Sequence, residues 1–324
     1  MFTVEQLVEK ISVAEQQMDY VRHPEGLYKP IRYILSEGGK RIRPLLVLMA
    51  YNLFKDDVDD AMSLALGLEL YHNHTLMHDD VMDNADMRRN KPTVHKVWNE
   101  NTAILSGDAM LLLACKYVSR VPEKYAGDIM SLFLETALEI CEGQQLDMEF
   151  ERRNDVSAEE YIEMIRLKTA VLLACSLKGG AMLGGVSADD AEKIYNFGLY
   201  MGLTFQLQDD LLDVYGDPAV FGKNIGGDIL CDKKTFLLIK AEELAMGQQR
   251  EILDKYIGNQ NCNREEKIKA VVSVYNALDV RGLCEERMEQ YFERGMEALD
   301  EMSVPAAKKT VLKEFAISLL HRNL

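Results

Sequence analysis

Two stretches of this chain repeat one unusual pattern. Residues 67–83 read GLELYHNHTLMHDDVMD, and residues 198–213 read GLYMGLTFQLQDDLLD. Each is a largely uncharged run in which apolar residues recur three or four positions apart, the period of a helix, and each ends in DDxxD. The repeat predicts two long helices, about 130 positions apart in the chain. It also predicts that their acidic ends come together at one site.

The rest of the chain has the composition of a helical globular protein. Its 324 residues are 48% hydrophobic and include 7 prolines, and long stretches show apolar residues at the helical period. A sizeable core is therefore expected, and disorder is not. Since no low-complexity linker divides the sequence, we predict a single all-α domain spanning residues 1–324.

Charge and cysteine usage exclude several classes of partner and location. The formal net charge of −16 argues against nucleic acid, because phosphate backbones are bound by basic surfaces. The 6 cysteines form no CxxC pair, which is typical of reduced thiols in a cytoplasmic protein. The N-terminus lacks a signal-peptide pattern. The longest uncharged run near the motifs, residues 194–208, is too short to cross a bilayer, so we expect no stable membrane insertion.

The two DDxxD clusters, at residues 79–83 and 209–213, predict divalent metal sites. In a helix the first and last aspartates share a face, and the middle one lies about 100° around. Such close like charges destabilise a helix unless a cation offsets them, and Mg²⁺ prefers hard carboxylate oxygens. The alternative is a solvated acidic helix end. Aspartate is a poorer helix former than glutamate, and Arg88, Arg89 and Lys223 follow the clusters, so we favour the metal site.

Three further features indicate anion binding, each with an alternative. GGKRIRP, at residues 38–44, could wrap a diphosphate with backbone N–H groups and the side chains of Lys40 and Arg43, or it could be a basic loop or a helix start. Lys168 lies in an otherwise apolar helix, where it either snorkels to the surface or faces an internal anion. His72 stands seven residues before Asp79, but a lone helical histidine is more often a core residue than a ligand.

Six motifs occur in a fixed order, namely GGKRIRP, HDDVMDNADMRR, EGQQLD, LKT, FQLQDDLLDVYGD and GKNIGGDILCDKKT. Together they resemble the trans-polyprenyl diphosphate synthases, the family of farnesyl and geranylgeranyl diphosphate synthases. The resemblance covers about residues 38–238. It implies an all-α, isoprenoid-synthase-type helical bundle around a central cavity, usually as a homodimer. It also implies addition of isopentenyl diphosphate to an allylic diphosphate with three Mg²⁺ ions.

The resemblance assigns roles to single residues as well. The implied metal ligands are Asp79, Asp80, Asp83, Asp209 and Asp213. The implied allylic diphosphate site consists of Arg88, Lys168 and Lys223, with Lys233 nearby. The implied isopentenyl diphosphate pocket consists of Gly39, Lys40, Arg43, His72 and Arg89. Dipoles beside the developing carbocation would come from Thr169 and Gln206. A GQxxD turn near the catalytic lysine would contain Gln144 and Asp147.

Side chains before the first cluster are expected to set product length. One helical turn rises about 5.4 Å, close to the reach of one isoprene unit, so residues one and two turns before Asp79 act as a ruler. They are Tyr71, His72, His74 and Thr75. Bulky aromatics at positions 74 and 75 would stop the product at farnesyl diphosphate, whereas these two side chains are smaller and Tyr71 could form a deeper floor. We expect geranylgeranyl diphosphate, with farnesyl diphosphate as the alternative and longer chains still open.

Two other functions are open at this point. A class I terpene cyclase also uses DDxxD and Mg²⁺, but it carries an Asn/Ser/Glu-type second metal motif, whereas this chain has DDLLD together with GGKRIRP. A non-catalytic subunit of a heteromeric prenyl synthase usually loses one or both aspartate clusters, and both are intact here.

Overall fold

The computed structural model describes residues 1–18, 20, 22–216, 225–259 and 261–320, and this part of the chain is almost entirely helical. The first eight helices are α1 (Val4–Gln16), α2 (Glu25–Ser36), α3 (Ile42–Asn52), α4 (Asp59–Met82), α5 (Val94–Val97), α6 (Glu100–Val118), α7 (Glu123–Phe150) and α8 (Ala158–Ile165). A π-helical turn, Arg166–Ala170, joins α8 to α9 (Val171–Gly184), and α10 (Ala188–Tyr215) follows.

The C-terminal third continues in the same way. Its helices are α11 (Gly227–Leu230), α12 (Phe236–Leu244), α13 (Gln248–Tyr256), α14 (Arg264–Ala277), α15 (Val280–Asp300) and α16 (Ala306–Leu320). Within the described ranges the strands are β1 (Met87–Arg88) and β2 (Lys91–Pro92), which pair antiparallel as one short hairpin. The all-α prediction is confirmed.

The chain forms two compact units whose segments alternate along the sequence. The first unit comprises Met1–Glu135, Cys175–Ile194 and Ser303–Leu312. The second comprises Thr136–Ala174, Tyr195–Met302 and Lys313–Leu324. Each unit is described by itself below. The single domain and its central cavity stay predictions.

Helix α4 is the central helix of the first unit. Every residue from Leu64 to Tyr71 is buried, so the helix is surrounded by protein along this stretch. This explains why the sequence there is apolar on all faces rather than on one stripe. The helix ends at Met82, and the first aspartate cluster therefore stands at the point where it leaves the core.

The second unit has a core in which α10 takes the corresponding place. Leu203, Leu207 and Leu211 are buried within it and line up at helical spacing. Short helices pack around them, and α8 begins with a capping box in which the Ser157 hydroxyl accepts from the N–H of Glu160 at 3.2 Å. The second cluster lies on the last turns of α10, again at the edge of a core.

The run Ala158–Gly184 is long and apolar enough to cross a membrane by length and composition alone. However, 78% of its most apolar window is buried inside the protein, which is typical of a core helix.

Candidate active site

The first aspartate cluster has two accessible carboxylates and one inward-facing carboxylate. Asp83 is exposed and Asp79 is half-buried, whereas Asp80 is only 2% exposed. This is the arrangement that helical geometry dictates, because the first and last residues of DDxxD share a face and the middle one does not. The accessible face therefore belongs to Asp79 and Asp83.

Arg88 binds the inward-facing carboxylate. Its Nε lies 2.8 Å and 2.9 Å from the two oxygens of Asp80, and its terminal nitrogen NH2 lies 2.8 Å from Oδ1. The turn after α4, at residues 83–86, directs β1 back so that Arg88 reaches a residue eight positions earlier. Arg88 and Asp80 thus bind each other. The sequence analysis assigned Arg88 to the allylic diphosphate and Asp80 to a metal ion, and both roles stay predictions.

Arg89 fixes the same hairpin to the GGKRIRP segment. Its NH1 donates to the carbonyl of Gly38, and a Cβ added at Gly39 would lie 3.0 Å from Arg89 NH2 and 3.0 Å from Arg41 NH1. Gly39 also has φ +136°, a backbone conformation that side chains disfavour. Two guanidinium groups therefore approach this backbone closely, and only glycine leaves room for them.

Arg41 ties the segment to the core and was not singled out from the sequence. Its Nε lies 2.7 Å from Glu15 Oε1, its NH1 lies 3.1 Å from Glu69 Oε1, and its NH2 donates to the Leu35 carbonyl at 3.0 Å. Burial raises the pKa of Glu69, while Arg41 and Arg43 lower it. Arg41 occupies the left-handed region at φ 49° and directly precedes α3. Its buried ion pair therefore holds the start of that helix.

The predicted isopentenyl diphosphate residues gather in the first unit. Burial and, after it, the charges of Arg43, Arg89, Arg88 and Arg41 lower the pKa of His72 well below its usual value. His72 is therefore a neutral hydrogen-bonding group among cations. Lys40 is exposed on the same segment. Four arginine charges that act on one imidazole suit a ligand that carries concentrated negative charge.

The second aspartate cluster repeats the arrangement of the first. Asp209 and Asp213 are half-buried and Asp210 is 2% exposed. The hydroxyl of Tyr161, on α8, donates to Asp210 Oδ2, and Gln206 Nε2 lies 3.2 Å from Oδ1. Burial and, after it, the charge of Asp228 raise the pKa of Asp210 to about 7. In both clusters the protein itself binds the middle aspartate.

Asp228 joins the second cluster, although sequence reasoning quoted it only within a motif. Its backbone N–H donates to Asp213 Oδ2 at 2.9 Å, and its Oδ1 lies 3.8 Å from Lys233 Nζ. It is the fourth carboxylate of the cluster, and the GGD signal before α11 could have revealed it. Lys233, predicted to lie near the allylic diphosphate, is thus beside the cluster. Lys223 lies outside the described residues.

Lys168 stands on the π-helical turn and meets Asp147. Its Nζ donates to Asp147 Oδ2 at 2.7 Å. Helix α7 comes very close here, because a Cβ at Gly143 would overlap the backbone nitrogen of Lys168. The predicted GQxxD turn is wrong in its backbone, since Gly143 to Asp147 are helical. Its predicted place beside the lysine is confirmed. Single π-helical turns inside helices often mark functional sites.

Thr169 and Gln206, the two predicted dipoles, form a hydrogen bond. Thr169 Oγ1 donates to Gln206 Oε1 at 3.1 Å. Since Gln206 Nε2 also points to Asp210, the amide is held from both ends. A chain of hydrogen bonds therefore runs from Thr169 through Gln206 and Asp210 to Tyr161.

The four predicted ruler residues all lie on α4. Tyr71 is buried and meets Phe133 edge to face at 5.3 Å between ring centroids. His74 Nδ1 lies 3.0 Å from the Gly107 carbonyl, so this nitrogen carries a proton. Thr75 bonds back to the carbonyl of His72 within the helix at 2.8 Å. Their control of product length stays a prediction.

In the described ranges, no three His, Cys, Asp or Glu side chains converge closely enough to hold an ion by themselves. Mg²⁺ commonly binds through one or two carboxylates, with water and substrate phosphates completing its octahedron. The accessible aspartate pairs of the two clusters fit such an ion.

Comparison with known proteins places this geometry in a family. The model of the family described as Polyprenyl synthetase matches residues 24–275. A short chain isoprenyl diphosphate synthase of Methanocaldococcus jannaschii is 40% identical over 263 residues, which is 81% of this chain and 80% of that protein. A geranylgeranyl diphosphate synthase of Methanosarcina mazei is 36% identical over 315 residues, 96% of this chain and 94% of that protein.

A solved structure agrees with these relatives. The crystal structure of a geranylgeranyl pyrophosphate synthase matches with a TM-score of 0.95 and 40% identity, and the match covers 100% of both chains. This chain belongs to the polyprenyl synthetase family and has its isoprenoid-synthase-type helical fold. It is an enzyme, a trans-prenyltransferase, and the comparisons do not favour a class I terpene cyclase or a non-catalytic subunit.

Proposed function

We propose that this enzyme condenses isopentenyl diphosphate with an allylic diphosphate to give geranylgeranyl diphosphate. The allylic substrate would be dimethylallyl, geranyl or farnesyl diphosphate. The observation that carries the proposal is the shared design of the two clusters, in which a side chain binds the buried middle aspartate, Asp80 or Asp210, while the flanking aspartates are half-buried or exposed. This design keeps hard oxygen ligands available on two helix ends among cationic side chains.

The accessible aspartates are suited to Mg²⁺, and we propose three ions in the complex with substrate. Asp79 and Asp83 would hold one pair, and Asp209 with Asp213 would hold the third. Bound Mg²⁺ supplies Lewis-acid stabilisation of the negative charge on a diphosphate leaving group. Asp80 was predicted as a further ligand. Its pairing with Arg88 supports an indirect role, in which it orients that guanidinium.

The side chains of the enzyme do the remaining work. Lys168 and Arg88 would each bind the diphosphate of the allylic substrate as its carbon–oxygen bond breaks, because negative charge grows on that leaving group. Thr169 and Gln206 present oxygen dipoles that stabilise the allylic cation. The double bond of isopentenyl diphosphate then forms the new carbon–carbon bond, and a proton leaves from the adjacent carbon to the released diphosphate.

We propose that isopentenyl diphosphate binds to the arginine side chains of the first unit, Arg43 and Arg89. The charges of Arg43 and Arg89 help to lower the pKa of His72, and Lys40 lies on the adjoining exposed backbone. Arginine binds phosphate oxygens with paired, directional hydrogen bonds. Since no bond of this second diphosphate breaks in the reaction, its site has to hold and orient the substrate rather than stabilise a leaving group.

We also propose a homodimer in the cytoplasm. Helix α6 exposes Ile104, Leu105 and Leu112, which are 44%, 60% and 70% exposed. These residues lie along one side of the helix together with exposed Asp108, and we propose that this mostly apolar side is an interaction site. A second copy of the chain would cover it by two-fold symmetry. All six cysteines are free thiols, in keeping with a reducing compartment. If Leu112→Glu leaves the molar mass measured by light scattering unchanged, this interface is wrong.

The proposed reaction has a direct test. The purified chain is incubated with isopentenyl diphosphate, Mg²⁺ and each allylic diphosphate in turn, and the products are identified by mass spectrometry. We expect condensation with at least one allylic substrate and accumulation of the twenty-carbon product. Lys168→Met serves as the inactive control. Absence of condensation with every allylic diphosphate would rule the proposal out.

A further inference from the structure

One lysine of the second unit is buried, although it takes no direct part in the proposed reaction. Lys267, on α14, is 2% exposed. Removing an ammonium group from water costs several kcal/mol, so it persists only where protein oxygens compensate. Its Nζ lies 2.6 Å from Asp232 Oδ1 and 3.5 Å from the carbonyl of Leu230. Both oxygens belong to residues 225–235, the segment that contains α11 and leads to α12.

This segment, residues 225–235, is the part of the chain that completes the second cluster. Asp228 donates its backbone N–H to Asp213 Oδ2 at 2.9 Å, and Gly226 donates to the Asp213 carbonyl at 2.6 Å. Lys233 donates its backbone N–H to the carbonyl of Asp228 at 3.0 Å. The positions of Asp228 and Lys233 beside Asp213 therefore depend on the path of this segment.

The path turns at Asp232, where it is held by Lys267. Asp232 lies in the left-handed region at φ 54°, which disfavours most side chains. Its carboxylate is 14% exposed and paired with the buried ammonium. Without that cation, a largely buried carboxylate would have to move toward water and would carry the turn with it.

Helix α14 contacts the other end of the segment as well. A Cβ added at Gly226 would lie 2.9 Å from Ile268 Cδ1, so Ile268 packs against the start of the segment while its neighbour Lys267 holds the end. The helix is itself fixed at its N-terminus, because Asn263 Oδ1 accepts from the N–H of Glu266 at 3.1 Å. One turn of a capped helix thus contacts the segment at both ends.

From this geometry we propose that Lys267 is a positioning residue of the second cluster. Through Asp232 it fixes the turn that places Asp228 and Lys233 beside Asp213. It acts through these residues and touches neither substrate nor metal. The inference rests on the proposed function, since that function gives the second cluster its metal and its allylic diphosphate.

The test compares Lys267→Met with Lys269→Met. Methionine keeps the length and apolar stem of lysine but lacks the charge, and Lys269 is an exposed lysine on the same helix. Residues around a metal ligand typically change metal affinity or activity 10- to 100-fold when they are lost. We therefore expect about a tenfold rise in the KM for the allylic diphosphate and in the half-saturating Mg²⁺ concentration. The KM for isopentenyl diphosphate should not change, and Lys269→Met should match the wild type.

A second variant keeps the test decisive if Lys267→Met does not fold. Asp232→Asn retains the side-chain shape while removing the charge that Lys267 binds, and it should move the same two parameters. Binding of inorganic pyrophosphate with Mg²⁺, measured by calorimetry, should weaken in parallel. Unchanged allylic KM and Mg²⁺ dependence in the folded variants would overturn the inference. A wild-type enzyme without condensing activity would instead refute the proposed function.

Discussion

The guanidinium of Arg88 binds the carboxylate of Asp80 through both Nε and NH2, at N–O distances of 2.8 to 2.9 Å. Asp210 in the second cluster is held in an equivalent way by Tyr161 and Gln206. The middle aspartate of each DDxxD motif is thus an anchoring group for a neighbouring side chain. The flanking aspartates of each cluster are the proposed metal ligands.

Because Asp80 and Asp83 are assigned different roles, their substitutions should have different effects on catalysis. Asp83→Asn should raise the half-saturating Mg²⁺ concentration by about tenfold or more, because a carboxylate ligand becomes a weaker amide ligand. Asp80→Asn should instead raise the KM for the allylic diphosphate, since Arg88 loses its charged partner. Initial rates across a Mg²⁺ titration separate the two. Equal shifts in Mg²⁺ dependence for both variants would contradict these assignments.

The ion pair of Arg41 with Glu69 should dominate the stability of the GGKRIRP segment. Arg41→Met leaves a buried carboxylate without its main cation and should lower the free energy of unfolding by about 3 kcal/mol. The double variant Arg41→Met with Glu69→Gln should recover part of that loss, because the uncompensated charge is gone. Urea unfolding curves give both values. A double variant less stable than Arg41→Met would contradict the assignment.

Tyr161→Phe should affect catalysis through Asp210. It removes one hydrogen bond to a buried carboxyl, which is worth about 1 to 3 kcal/mol of stability, and loosens the amide of Gln206. We expect kcat to fall while the KM for isopentenyl diphosphate stays the same, since that pocket belongs to the first unit. Steady-state kinetics with each substrate varied provide the measurement. A change confined to the KM for isopentenyl diphosphate would refute this coupling.

Acid should destabilise the first unit through His74. Burial and then the neighbouring His78 lower the pKa of His74 from 6.5 to about 4. The unfolded chain takes up the proton first, so this contribution to stability is complete above pH 6.5 and is lost as the pH falls toward 4. His74→Asn can still donate to the Gly107 carbonyl but does not titrate. Thermal unfolding between these pH values should fall less steeply for the variant, and parallel curves would show that His74 is not responsible.

Product length should depend on the ring of Tyr71. Tyr71→Ala opens space one turn deeper along α4 than His74, and we expect products longer by at least one isoprene unit. Tyr71→Phe keeps the ring against Phe133 and should leave the product unchanged. Chain lengths are read from radiolabelled extension products. If both Tyr71→Ala and His74→Ala gave the wild-type product, the ruler assignment would be wrong.

Much of the fold and site follows from the sequence because its signals are local. Helical periodicity predicts α4 and α10 as buried helices, and DDxxD predicts where they leave their cores. The family pattern grouped Thr169 with Gln206 as dipoles and put Asp147 near Lys168. The structure confirms that Asp147 lies beside Lys168, and it adds a hydrogen bond between Thr169 and Gln206.

What the sequence could not predict depends on contacts between distant segments. Helical spacing shows that the side chains of Asp79 and Asp80 point in different directions. It does not show that Arg88, within the hairpin, would bind Asp80. Arg41 looked like one basic residue among three, and only the fold brings Glu15 and Glu69 to it. Asp228 reaches Asp213 through a backbone N–H, an interaction that leaves no mark on residue type.

The π-helical turn at Arg166–Ala170 has a consequence for how this site could be lost or gained. A π turn holds one residue more than the α-helical turn it replaces, so deleting a single residue there could restore a regular helix and keep the flanking core faces in register. Lys168 would swing around the helix axis away from Asp147, while the hydrophobic core stayed whole. A one-codon deletion is therefore a short evolutionary step from this enzyme to a folded, inactive relative.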